Sequence, residues 1–136
     1  MHSQMILSID DAKHIADACR AKASAEGWNV VIAIVDDGGH LMYLERMDGT
    51  QKASSVVAAE KARTALLFKR PTKALEAAVL AGRTIMMMLP GATPIEGGLP
   101  LVRNGQYLGA IGVSGVQSFE DGIIAEAGIA CLNSFP

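Results

Sequence analysis

Few side chains in this sequence could do chemistry, and most of them fall at the ends of elements. His14 lies on the first helical pattern, about 100° round from Ile15 and beside Ala18 and Ala21. An imidazole there reads either as a surface or subunit-contact residue, histidine being common at half-buried positions, or as a metal-group ligand facing an alanine-lined cleft. His40 opens the second strand pattern next to Gly38-Gly39 and carries the same two readings. No two histidines share a ligand spacing, which argues against a structural zinc site. Asp36 ends an apolar strand, and Arg46 lies near the far end of its partner. Lys61 sits mid-helix among Ala58, Ala62 and Ala65. It either snorkels to solvent or turns into a cleft to meet Asp121 or Asp36; a structural ion pair is the ordinary role of such a residue. Asp37, Arg63 and Glu126 complete the titratable candidates, and Glu45 with Asp48 reads as a solvated strand edge. Nothing supplies a nucleophile–base pair, so no catalytic residue is assigned.

Glycine-rich segments concentrate the remaining signal. Glu96-Gly97-Gly98-Leu99-Pro100 is a loop leading into a hairpin, and loops on rigid scaffolds tend to hold sites. The hairpin's second strand, Gln106–Ser114, has a nearly bare face at Ala110, Gly112 and Ser114. Glycine in a strand marks a place where a helix or a ligand comes close to the backbone. Ser118 to Asp121 opens a helix, whose free amides favour an anionic group. Loop, bare face and helix start together predict one concavity for a small-molecule ligand, with Lys61 and Arg46 as charged lining. GAIGVSG imitates a dinucleotide fingerprint, but its glycines fall inside a strand rather than in a strand-to-helix loop. The nucleophile elbow is absent, because Gly112-Val113-Ser114-Gly115 has the wrong spacing. Met86 to Met88 reads as core filler.

The elements that must hold these residues alternate. Ser8 caps a first helix, Asp11 completes a box three residues on, and Gly27 stops it. Val30–Val35 is a continuous apolar strand, usually covered on both faces. Asp37-Gly38-Gly39 turns it into a partner strand, His40–Met47. A second long helix spans Ala53–Phe68, and a shorter one Thr72–Leu80. Thr84–Leu89 fits helix or strand. Leu99–Arg103 joins Gln106–Ser114 through Asn104-Gly105, a strong hairpin signal. A last helix runs from Ser118, as cap, to about Asn133. Two antiparallel hairpins with helices between them predict an α+β domain: a central antiparallel sheet with helices on both faces.

Composition narrows the class. At 136 residues the chain is the natural size of one domain, spanning residues 1–136. A net charge of -2 lacks the basic footprint that nucleic-acid binding needs. Cys19 and Cys131 form no metal spacing or disulfide framework and read as buried thiols. No stretch resembles a secretory signal or a bilayer span, so a cytoplasmic protein without a membrane partner is expected. Half of the residues are hydrophobic. With small residues on two faces of the first helix, that content predicts a homo-oligomer.

Four segments in order, VVIAIVDDGGHLMYLERMDG from Val30, EKARTA from Glu60, GGLPLV from Gly97 and GAIGVSG with AEAG from Gly109, resemble the GlcG-like family. That family includes HbpS and the C-terminal domain of PduO. The resemblance covers nearly the whole chain. It implies a profilin-like α-β-α sandwich with five strands, the fifth expected near Pro94–Glu96. It implies multimers, octamers among them, and binding or sensing of haem or another tetrapyrrole. For haem, His14 is the axial candidate ahead of His40, because it lies on an alanine face that a flat macrocycle could approach. Two alternatives stay open: an accessory enzyme of glycolate- or diol-type small-metabolite catabolism, and an oligomeric scaffold without chemistry.

Overall fold

The computed structural model describes residues 1–136. Helix α1 (Ile9–Glu26) is followed by strands β1 (Val31–Val35) and β2 (Leu41–Arg46) and by helices α2 (Ser54–Leu67) and α3 (Thr72–Leu80). A short 3-10 helix (Thr84–Met88), β3 (Gly98–Arg103), β4 (Gln106–Ser114) and α4 (Ser118–Asn133) complete the chain. The sheet has the order β2-β1-β4-β3, and each neighbouring pair is antiparallel.

Four strands pair, not five. Around Pro94–Glu96 the backbone amides turn to acceptors outside any strand. Ile95 N–H donates to the Thr93 carbonyl at 2.9 Å, Glu96 N–H donates to Glu76 Oε1 at 3.3 Å, and Pro94 has no N–H to give. The fifth strand expected there is therefore absent. Thr84–Met88 buries no residue, so the methionines are not core filler. Met87 and Met88 stand exposed with Leu80 and Ile85.

Helix ends follow local chemistry. Ser8 Oγ accepts the Asp11 amide at 3.0 Å, and Asp11 Oδ2 accepts the Ser8 amide at 3.3 Å. Gly27, at φ 74°, closes the helix in the left-handed region that glycine adopts at little cost. Ser8→Ala is expected to cost about 1 kcal/mol, read as a lower urea midpoint with an unchanged slope. At α4 the cap is Gln117 rather than Ser118. Its N–H donates to Glu120 Oε1 at 3.1 Å, which places Ser118 one residue inside the helix.

Strand alternation sorts the core into two unequal layers. Ile32 and Ile34 of β1 and Ile111 and Val113 of β4 point to one side, where α1 and α4 bring Ile15, Cys19, Ile124 and Leu132. Burial there pushes the Cys19 thiol up to about 12, an inert thiol. On the other side Val31, Ala33, Val35 and Ala110 meet Ala58, Ala62 and Ala65 of α2. Those alanines recur on one helix face, and they let α2 lie close against the strands. No helix is long and apolar enough to cross a membrane.

Candidate functional site

Gly97 and Gly98 carry the loop onto the edge strand. Gly97 holds φ 133°, and its carbonyl accepts the Val113 amide at 3.0 Å. Gly98 pairs opposite Gly112, and its N–H donates to Thr72 Oγ1 at 2.8 Å. A Cβ on Gly98 would run into the Lys61 carbonyl, and one on Gly97 would stand 2.5 Å from Val113 O and 2.9 Å from Lys61 Nζ. Both positions require glycine because α2 and its lysine pass directly behind them.

Lys61 leaves the middle of α2 and stays buried, 2% exposed, as does Asp121. Its Nζ donates to Asp121 Oδ2 and to the Val113 carbonyl, both at 3.0 Å. Asp121 Oδ1 accepts the Val116 amide at 3.2 Å. The pair therefore ties α2, on one face of the sheet, to the start of α4, on the other, around the end of β4. Of the two partners open to Lys61 in the sequence, the structure selects Asp121. Burial pushes the Asp121 carboxyl up to about 6, outweighing the Lys61 ammonium and the Val116 amide.

Outside Gly97 and Gly98 lies a cavity of about 300 Å³. Pro71 and Lys73, at the start of α3, form one wall; Phe119, Ile123 and Glu126, along the flank of α4, form the other. Glu96 packs onto α4 at Gly122, where a Cβ would stand 2.5 Å from Glu96 Oε2. Glu96, Gly97, Gly98 and the Lys61–Asp121 pair are thus gathered in one place, with the glycines between the pair and the cavity.

Other candidates lie elsewhere. Gly112 and Ser114 face α2, not a cavity. A Cβ on Gly112 would overlap the Ala58 carbonyl oxygen, and Ser114 Oγ donates to Ser54 Oγ at 3.2 Å. The space left by the small residues is filled by the helix, which corrects the expectation of a ligand there. Arg46 is exposed on β2, at the opposite edge of the sheet from β3, so it lines no wall of the cavity. Asp36 stands at the opposite end of β1 from the Lys61 pair and shapes its own hairpin. Its Oδ1 accepts the Gly38 and His40 amides, each at 2.9 Å. Burial pushes this carboxyl up, but the two amides and the nearby imidazole outweigh it and hold it below its usual value.

Both histidines are exposed. His40 Nδ1 lies 3.4 Å from Asp36 Oδ1. His14 Nδ1 lies 2.9 Å from the Asp10 carbonyl. A carbonyl only accepts, so Nδ1 is the donor, and in the neutral ring this leaves the lone pair on Nε2. Beside His14 is a shallow hollow of about 310 Å³ formed with Asp11, Ser134, Phe135 and Pro136. The hollow lies by the C-terminal end of α4 and the cavity by its N-terminal half, so about 12 Å of helix, from Glu126 to Ser134, separates them.

Lys73, Phe119 and Ile123 of the cavity were not singled out by the sequence. Phe119, Gly122, Ile123 and Glu126 recur three and four residues apart, a helix-face signal that was present. Lys73 carries none, because only the docking of α3 brings it there.

Comparison with known proteins places these features. Residues 7–130 match the family model described as "Haem degrading protein HbpS-like". Protein GlcG of Escherichia coli K12 is 45% identical over 114 residues, covering 84% of this chain and 85% of that protein. The crystal structure of Klebsiella pneumoniae protein ORFY superposes with a TM-score of 0.92 at 28% identity, covering 99% of this chain and 97% of the other. The crystal structure of a PduOC:haem complex superposes with a TM-score of 0.86 at 30% identity, covering 95% of this chain and 96% of the other.

Proposed function

The chain belongs to the HbpS-like family, and on that footing we propose that it binds haem or a related tetrapyrrole at the His14 face of α1. The observation that carries this reading is the state of the His14 imidazole. Its Nδ1 is tied to the Asp10 carbonyl, so the ring is oriented and Nε2 points away as a free donor for an axial iron position. Ala18, Ala21 and Ala25 follow His14 at intervals of four, three and four residues and share its helix face. Short side chains there allow a flat macrocycle to approach the helix, with the Phe135 ring beside it. The PduOC chain, alike across 95% of this one, was crystallised with haem, which supports the choice of ligand class. Haem bound in this way supplies an iron centre; the chain's part is to present the imidazole and the apolar face.

His40 is the weaker candidate. Its ring is 82% exposed, and it stands on a turn, with no helix face of small residues beside it. The test is a haem titration of wild type, His14→Ala and His40→Ala, followed by the Soret band. His14→Ala is expected to bind at least about tenfold more weakly, equivalent to ~1.4 kcal/mol, with a shifted band, while His40→Ala follows wild type. An unchanged band and affinity in His14→Ala would remove the assignment.

A further inference from the structure

We propose that the cavity between the start of α3 and the flank of α4 is a second ligand site, one that takes a small zwitterion such as a free α-amino acid with a short apolar side chain. The inference does not rest on the haem reading, whose site is at the other end of α4. It rests on how three charges are arranged around a half-open cavity. Lys73 stands on the α3 wall, and Glu126 with Glu96 on the α4 side. None of the three enters an ion pair within the chain. The cavity therefore presents unpaired charges of both signs on facing walls, and a ligand carrying both signs can meet each wall at once.

The surface between the charges is apolar. Phe119 is 59% exposed and Ile123 42% exposed, and half-buried Leu99 continues the patch. Large apolar side chains left wet inside a cavity gain free energy when a ligand covers them. A carboxylate directed to Lys73, an ammonium directed to Glu126 and a short aliphatic chain over Phe119 and Ile123 would use all three kinds of surface. The volume of about 300 Å³ is at the low end for small-molecule sites, which suits an amino acid. A ligand with only one charge would make one of the two charge-assisted contacts and forgo the other.

The experiment uses three probes that differ only in charge: L-leucine, 3-methylbutylamine and 4-methylpentanoate. Each is titrated at millimolar concentration into the intact chain and followed by amide NMR shifts. L-leucine is expected to shift the amides of Gly97, Gly98 and Ile123, and each single-charge analogue to bind at least about tenfold more weakly. Lys73 and Glu126 are both exposed, so their neutral variants keep the fold. Lys73→Gln and Glu126→Gln are each expected to weaken L-leucine about tenfold, the loss of one charge-assisted contact. No shift at those amides with L-leucine would overturn the site. Equal binding of leucine and its amine, or undiminished leucine binding by Lys73→Gln, would overturn its zwitterion specificity.

Discussion

Lys61→Met is expected to lose about 3–5 kcal/mol of unfolding free energy near neutral pH, the usual cost of stranding one partner of a buried ion pair. Without the lysine, the Asp121 carboxylate is left 2% exposed with the Val116 amide as its one remaining donor. The loss should depend on pH, with a sign that can be worked out. In the wild type, burial raises the Asp121 carboxyl from 3.8 to about 6. The folded state therefore holds a proton in that window that the unfolded chain has released. The stability this proton contributes is fully present below 3.8 and is lost as pH rises through about 6. Removing the ammonium takes away the main group that favours the charged form, so the carboxyl of Lys61→Met should titrate higher still. At low pH the variant should match the wild type, which there buries an ammonium against a neutral acid. Urea midpoints at about pH 4 and about pH 8 check this: the gap should be near zero at the first and full at the second. Lys61→Met/Asp121→Leu should recover most of the loss, because an apolar pair carries no desolvation cost. Equal midpoints for Lys61→Met and wild type at both pH values would mean that the pair does not hold the layers together.

The difference between what was legible in the sequence and what was not follows the range of the interactions. Helix α1 could be bounded from Ser8, Asp11 and Gly27, because a capping box and a left-handed stop are made by neighbours in the chain. The hairpins at Gly38-Gly39 and Asn104-Gly105 were equally local; Asn104 and Gly105 both take positive φ. The Lys61–Asp121 contact spans sixty residues and was readable only as one of two options, since chemistry demands a partner for a mid-helix lysine but does not choose it. Arg46 was misplaced for a related reason. Its position depends on the strand order β2-β1-β4-β3, which no local pattern encodes. The expected fifth strand failed because Pro94 has no N–H to give, the Ile95 amide goes to the Thr93 carbonyl and the Glu96 amide goes to the Glu76 carboxylate, a partner twenty residues away that no local pattern reveals. The bare face of β4 was correctly read as a place of close approach, but a glycine does not say what approaches.

Gly112→Ala is expected to destabilise the chain by about 3 kcal/mol or more, the upper range for overpacking, and so to lower the melting temperature by roughly 10 °C or more. The added methyl would overlap the Ala58 carbonyl oxygen and stand 2.6 Å from the Ala62 nitrogen. Both are backbone atoms of α2, so no side-chain rotation relieves the clash; the helix must move off the sheet. That movement would also disturb the Lys61 Nζ contacts with Val113 and Asp121, so the cost spreads beyond the methyl itself. Ala58→Gly in the same chain should restore nothing, because the obstructing oxygen belongs to the main chain. Ala110→Gly is the control on the same face. It removes one buried methyl that packs towards α2 and should cost only about 1–2 kcal/mol, from lost burial and from strand glycine entropy. Thermal melts of the four proteins separate the two effects. If Gly112→Ala melted with wild type, α2 would have to lie farther from the strand than the structure places it, and the small-residue face would again be open to a ligand.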